Sequence, residues 1–173
     1  DPAVQGCGKG DVRAMIERGS LGGKSLDITS LFVSLCRAEG IPARGAYGIL
    51  LQEADNGKIA TSYHARAEFY LAGTGWVPVD PAEIQRVIFE EKRSFADSKV
   101  AELKKRLFGY WSLNWIGLNH DRDISLPFLD TRLPLFIYPY AEVGGEFLDG
   151  SDPSRLSYRI EVNEMVGTGI HFS

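Results

Sequence analysis

The chain has 173 residues, 44% of them apolar, and a formal charge of -4 from 19 basic and 23 acidic side chains. That length and apolar content suffice for one core without metal or disulfide staples, so a single domain over residues 1–173 is expected. The acidic balance without a basic stripe argues against nucleic acid as a partner, and no apolar run is long enough for membrane insertion.

The opening "DPAVQGCGKG" shows no charged and apolar regions of a signal peptide. Cys7 and Cys36 are the only cysteines, which gives neither a disulfide framework nor a four-thiolate zinc site. In "GGKSLDITSLF", Ser25 stands where an apolar helix begins. A hydroxyl there fits two roles, a cap for the first-turn amides or an oxygen aimed at a substrate, while Asp27 or Thr29 complements the helix dipole. Gly22 and Gly23 permit close backbone approach, and Lys24 is expected at the surface.

The spacing of Ile28, Leu31, Phe32, Leu35 and Cys36 predicts a buried helix over 26–39, stopped by Gly40 and Pro42. Cys36 on that stripe reads as a small buried thiol. Strands are expected over 43–51, 59–71 and 76–79, separated by the turn formers "EADNGK" and "AGTG". A helix followed by an antiparallel meander is an α+β pattern.

Between Glu83 and Phe108 the sequence turns charged and helix-forming, and "DSKVAELKKRLFG" places Val100, Leu103 and Leu107 on one face of a surface helix. Further strands are expected in "DISLPFLD", "LPLFIYPYAEV" and "RLSYRIEVNEM", some at sheet edges because of their prolines. There is no internal repeat and no linker that would divide the chain.

His64, His120 and His171 are the only histidines. Strand alternation in "SYHARAEFYL" puts His64, Arg66, Glu68 and Tyr70 on one polar face, and Ala65, Ala67, Phe69 and Leu71 on the other. Asp80 ends the strand "WVPVD" before Pro81, where a carboxylate commonly organises a turn. A helix start bearing a nucleophile, a strand histidine and a carboxylate after the next strand are also the parts of an acyl-transfer triad. The helix start stabilises an anion, the histidine moves the proton, and the aspartate fixes which imidazole nitrogen faces the nucleophile.

Register tests that arrangement. A four-residue loop at "AGTG" would set Asp80 opposite Ala67, away from His64. A three- or five-residue loop, or a bulge at Gly73 or Gly75, sets Asp80 diagonally beside His64, and the glycines favour that shift. His120 in "GLNHDRD" is the rival base, His171 is expected to fray near the end, and Trp76, Trp111 and Trp115 read as core or groove walls.

The stretches "GGKSLDITSLFVSLCRAEGIPARGAYGI" and "YHARAEFYLAGTGWVPVDPAE", in that order, resemble the three core motifs of the transglutaminase-like superfamily, and "QGCGKGDVRAMIERG" before them and "LFIYPYAEVGG" after them resemble its bacterial members. The resemblance implies a papain-like fold, with a nucleophile helix packed on an antiparallel sheet, a motif core over 22–83 and an extension over 84–173. It implies a Cys-His-Asp triad at positions 25, 64 and 80, of the kind found in cysteine proteases, acting on a peptide or protein amide by hydrolysis or by transfer to an amine. No metal or organic cofactor is implied, and similar bacterial proteins point towards export to the periplasm or beyond.

The chain departs from that pattern twice. Position 25 is Ser25, and Arg66 stands where a tryptophan is common. A thiol at a helix start beside a histidine ionises readily, whereas a hydroxyl stays neutral and must lose its proton during attack. Ser25 therefore reads as a replacement that silences a cysteine enzyme, as the mark of a natural pseudoenzyme that binds peptide or protein in the inherited groove, or as a working serine nucleophile.

Overall fold

The computed structural model describes residues 3–4, 6–53, 59–127, 129–130 and 132–162. Its elements are α1 (Val12–Glu17), α2 (Ser25–Ala38), β1 (Ala43–Glu53), β2 (Ile59–Leu71), β3 (Gly75–Val79), α3 (Pro81–Glu90), α4 (Ser98–Arg106), β4 (Trp115–Asn119), β5 (Arg122–Ile124), β6 (Leu133–Leu135), β7 (Ala141–Val143) and β8 (Glu146–Leu148). The expected α+β class holds: one antiparallel sheet in the order β3-β2-β1-β4 carries α2 on one face.

Two apolar clusters join α2 to the sheet. Leu26 packs with Tyr47, Ala65 and Ile137, and Val33 packs with Ala43, Ala67 and Val79. Each of the buried Leu, Ile and Val side chains among them contributes about 2 kcal/mol. Ala65 and Ala67 carry no bulk beyond Cβ, so the helix lies close enough for Thr29 Oγ1 to donate to the Ala65 carbonyl at 2.9 Å.

That close approach corrects the expected helix stripe. The buried face of α2 is Leu26, Asp27, Thr29, Ser30 and Val33, whereas Leu35 is 59% exposed and Cys36 is only half-buried. Small hydroxyl residues seat the helix on the alanine face, and the larger side chains flank the contact. Cys36 remains a partly buried thiol, with burial raising its pKa.

Leu71 pairs with Gly75 and Ala67 with Val79, so the β2–β3 hairpin has the expected odd loop, residues 72–74. Gly73 and Gly75 adopt φ of +82° and +97°, the left-handed conformations such a tight loop needs. β4 pairs with β1 as the fourth strand, an element the sequence reading left unassigned.

α3 and α4 occupy the charged segment, and Val87, Leu103 and Leu107 pack together as a third cluster. The last third is less regular than expected. "LPLFIYPYAEV" breaks into β6 and β7, and "DISLPFLD" forms strand only through Ile124. The described part of "RLSYRIEVNEM", residues 155–162, forms no strand: Tyr158 instead turns its hydroxyl to the Gly150 carbonyl and its ring to Tyr63. Residues 163–165 and His171 lie outside the described residues.

Candidate active site

The loop register puts Asp80 one step past Val79, across from Arg66 and diagonal to His64. His64 Nε2 lies 2.9 Å from Asp80 Oδ2 and 3.1 Å from Oδ1. Arg66 Nε donates to the same Oδ2 at 3.0 Å, and the Glu83 amide donates to Oδ1 at 3.0 Å. Asp80 thus performs the turn role and the histidine-orienting geometry together, because its side chain also caps α3.

This face of the sheet is polar in sequence and buried in space. His64 is 7% exposed, and Arg66 and Asp80 are each 1% exposed. The cover comes from the segment after α4. Trp115 meets the His64 ring edge-on at 6.0 Å and stacks over the Arg66 guanidinium at 4.6 Å. Trp111 flanks Arg66 at 5.7 Å, and its Nε1 donates to the Val79 carbonyl. Arg66 also donates to Ser112 Oγ at 2.7 Å and to the Ser112 carbonyl at 3.2 Å.

Burial opposes ionisation of Asp80. The hydrogen bond and charge of His64, the Glu83 amide and the Arg66 cation outweigh it and hold the carboxyl below its ordinary range. Burial lowers the Arg66 pKa, and the Asp80 carboxylate works in the other direction. Asp80 is therefore an anion with three donors, two of them on side chains of one strand.

Ser25 is the first residue of α2, and Lys24 is its cap position. The cap expected of Ser25 belongs to Asp27, whose carboxylate accepts from the amides of Lys24, Lys9 and Gly10 at 2.8–3.0 Å. This buried carboxylate ties the N-terminal segment to the helix start. Gly8 fits there because a Cβ would fall 2.0 Å from Asp27 Oδ2.

Cys7, unassigned by the sequence reading, links the helix start to the histidine strand. Its carbonyl accepts from the Leu26 amide at 2.9 Å, and its thiol donates to the Tyr63 carbonyl at 3.0 Å. Residues 25 and 64 are the immediate neighbours of those two partners. Burial raises the Cys7 pKa, partly offset by the hydroxyls of Tyr138 and Ser25.

The structure brings His64 and Asp80 into contact and, among the described residues, does not hydrogen-bond Ser25 to either. Among the described residues no hydrogen bond joins Ser25 to His64, and His64 Nδ1 has no hydrogen-bond partner. Alternation sets Ala65 against α2 and His64 beneath Trp115 on the other face. His120 is not part of this site; its Nδ1 contacts the Gly45 carbonyl at 3.1 Å. Among the described residues no group of His, Cys, Asp and Glu is placed to hold a metal, and no helix is long and apolar enough to cross a membrane.

A model of the transglutaminase-like superfamily matches residues 1–81, a span containing Ser25, His64 and Asp80. The chain is also similar to a Haemophilus influenzae (strain Rd) protein described only as uncharacterized. The two are 44% identical over 177 residues, covering 91% of this chain and 48% of the relative, so the chain spans about half that relative's length. No solved structure matches the chain. With the motif order, the α+β core and the family match in agreement, the first 81 residues of this chain belong to the transglutaminase-like superfamily.

Proposed function

We propose that this chain is an acyl-transfer domain of the cysteine-protease kind, acting on a peptide or protein amide, with Ser25 in the nucleophile position, His64 as the base and Asp80 as its orienting carboxylate. The observation that carries the reading is the commitment of His64 Nε2 to Asp80 at 2.9 Å, which leaves Nδ1 as the nitrogen available to a nucleophile. The Cys7 bridge supports it by holding the start of α2 to the strand at Tyr63 and His64.

In this reading the side chain at position 25 attacks the amide carbonyl as its proton passes to the imidazole. Collapse of the tetrahedral intermediate breaks the C–N bond, and the imidazolium returns the proton to the leaving amine. Water or a second amine then takes the acyl group by the reverse steps. The backbone amide of residue 25 is one oxyanion donor. With a hydroxyl at position 25 the chain is weak or silent, since no standing thiolate forms. Residues 84–173 act as part of the same domain by roofing the histidine face.

The lack, among the described residues, of a hydrogen bond between Ser25 and His64 favours a second reading, a pseudoenzyme that binds peptide or protein without turning it over. One experiment separates the two. Ser25→Cys is alkylated with iodoacetamide across pH, the modified peptide is identified by mass spectrometry, and the rate is compared with that of Ser25→Cys/His64→Ala. Acyl-transfer machinery gives labelling at position 25 that is at least about tenfold faster near neutral pH with His64 present. Equal rates in the two chains overturn it.

A further inference from the structure

A cavity of about 480 Å³ lies between α1, α2 and β1, and none of its lining residues belongs to the His64–Asp80 site. Its volume suits a small metabolite. The chain as a whole is acidic, yet this cavity is lined by Lys9, Arg37, Arg44 and Arg122 together with His120. Asp11 is the acid among its lining residues, and that carboxylate is already used in capping α1 through the Ala14 amide.

Arg44 is neutralised by Glu68 at 2.7 Å and stacks on Trp76 at 4.1 Å. The same Glu68 oxygen lies 3.9 Å from His120. Arg37 spends only its Nε, on the Ala43 carbonyl, so its two terminal nitrogens remain as donors. Among the described residues the side chains of Lys9 and Arg122 have no hydrogen-bond or ion-pair partner.

A second observation points to a ligand. Ser30 is 7% exposed and lines this cavity, and among the described residues its hydroxyl has no hydrogen-bond partner. No fully buried side-chain oxygen or nitrogen among the described residues lacks a partner, so the unbonded Ser30 hydroxyl is open to solvent, and the space it borders is the cavity. Guanidinium groups match carboxylate and phosphate oxygens in pairs, so their clustering around a cavity bordered by a hydroxyl free to donate selects for such a group.

We infer that this cavity is a binding site for a small organic dianion bearing phosphate or carboxylate groups, held by Arg37, Arg122 and Lys9 at its rim and by the Ser30 hydroxyl at its wall. The site is independent of the acyl-transfer reading and survives if that reading fails.

Titration of the full chain with inorganic phosphate and with succinate, at constant ionic strength in sodium chloride, tests this by following the amide resonances of Gly10 and residues 29–37. Saturable shifts with either anion support the site, and the anion that binds names the head group. Arg37→Gln/Arg122→Gln weakens that binding at least about tenfold, and Ser30→Ala weakens it about threefold while keeping every charge. Arg122→Gln alone, a change at an exposed side chain, provides the same comparison if the double variant folds poorly. Shifts that never saturate with either anion, or saturable binding that all three variants retain unchanged, overturn the inference.

Discussion

Arg66 and His64 hold the same oxygen of one buried carboxylate, Asp80 Oδ2, at 3.0 and 2.9 Å. The pair are two residues apart on β2, so strand alternation delivers both to a single anion, and the tryptophans above them exclude water. Arg66→Met removes the cation while leaving His64 and the Glu83 amide on Asp80. It also abandons Ser112. Equilibrium denaturation should show a loss of about 3 kcal/mol. Arg66→Lys should recover only part of it, because an ammonium cannot reach Asp80 and Ser112 together in the plane that a guanidinium offers.

Acid sensitivity follows from Asp80. Its folded pKa lies below the ordinary value of 3.8, so its contribution is fully present above that pH and is lost as pH falls through the lower folded value. Stability should therefore decline as pH is taken below about 3.8, with a slope that Asp80→Asn reduces. Chemical denaturation repeated between neutral pH and strongly acidic pH measures both slopes.

Asp27 makes a separate claim. Replacing it with Ala strands the amides of Lys9, Gly10 and Lys24, two of which come from outside α2. We expect a loss of about 3 kcal/mol and faster hydrogen exchange at Gly10 than at residues within the sheet. Gly8→Ala should reproduce part of the effect from the other side, since the added carbon meets the same carboxylate at a φ of +89°.

The hairpin loop offers a milder test. Gly75→Ala meets no neighbouring atom but must adopt a φ of +97°, so thermal unfolding should register about 1 kcal/mol of strain. The His64–Asp80 contact should persist, visible as unchanged imidazole resonances.

Much of this was legible in the sequence because alternation and turn chemistry are local. The face shared by His64 and Arg66, the odd loop at residues 72–74 and the helix over 26–39 follow from neighbouring residues. The burial of that polar face was not legible, since its cover, Trp111 to Trp115, lies 45 or more positions further along. Nor was the role of Asp27 as the cap in place of Ser25, which depends on Lys9 and Gly10 folding back onto the helix start. The α2 stripe was misplaced because Thr29 and Ser30 look like surface residues until Ala65 and Ala67 supply a flat floor.

Cys7 carries a consequence for the order in which the chain acquires its shape. Its amide donates to Tyr138 Oη across 131 positions, and its thiol reaches Tyr63 across 56. The β2–β3 turn closes over three residues, a far smaller entropic demand. Refolding should therefore raise the hairpin and α2 early, and complete the junction between the start of α2 and β2 last, when the distant tyrosine has arrived.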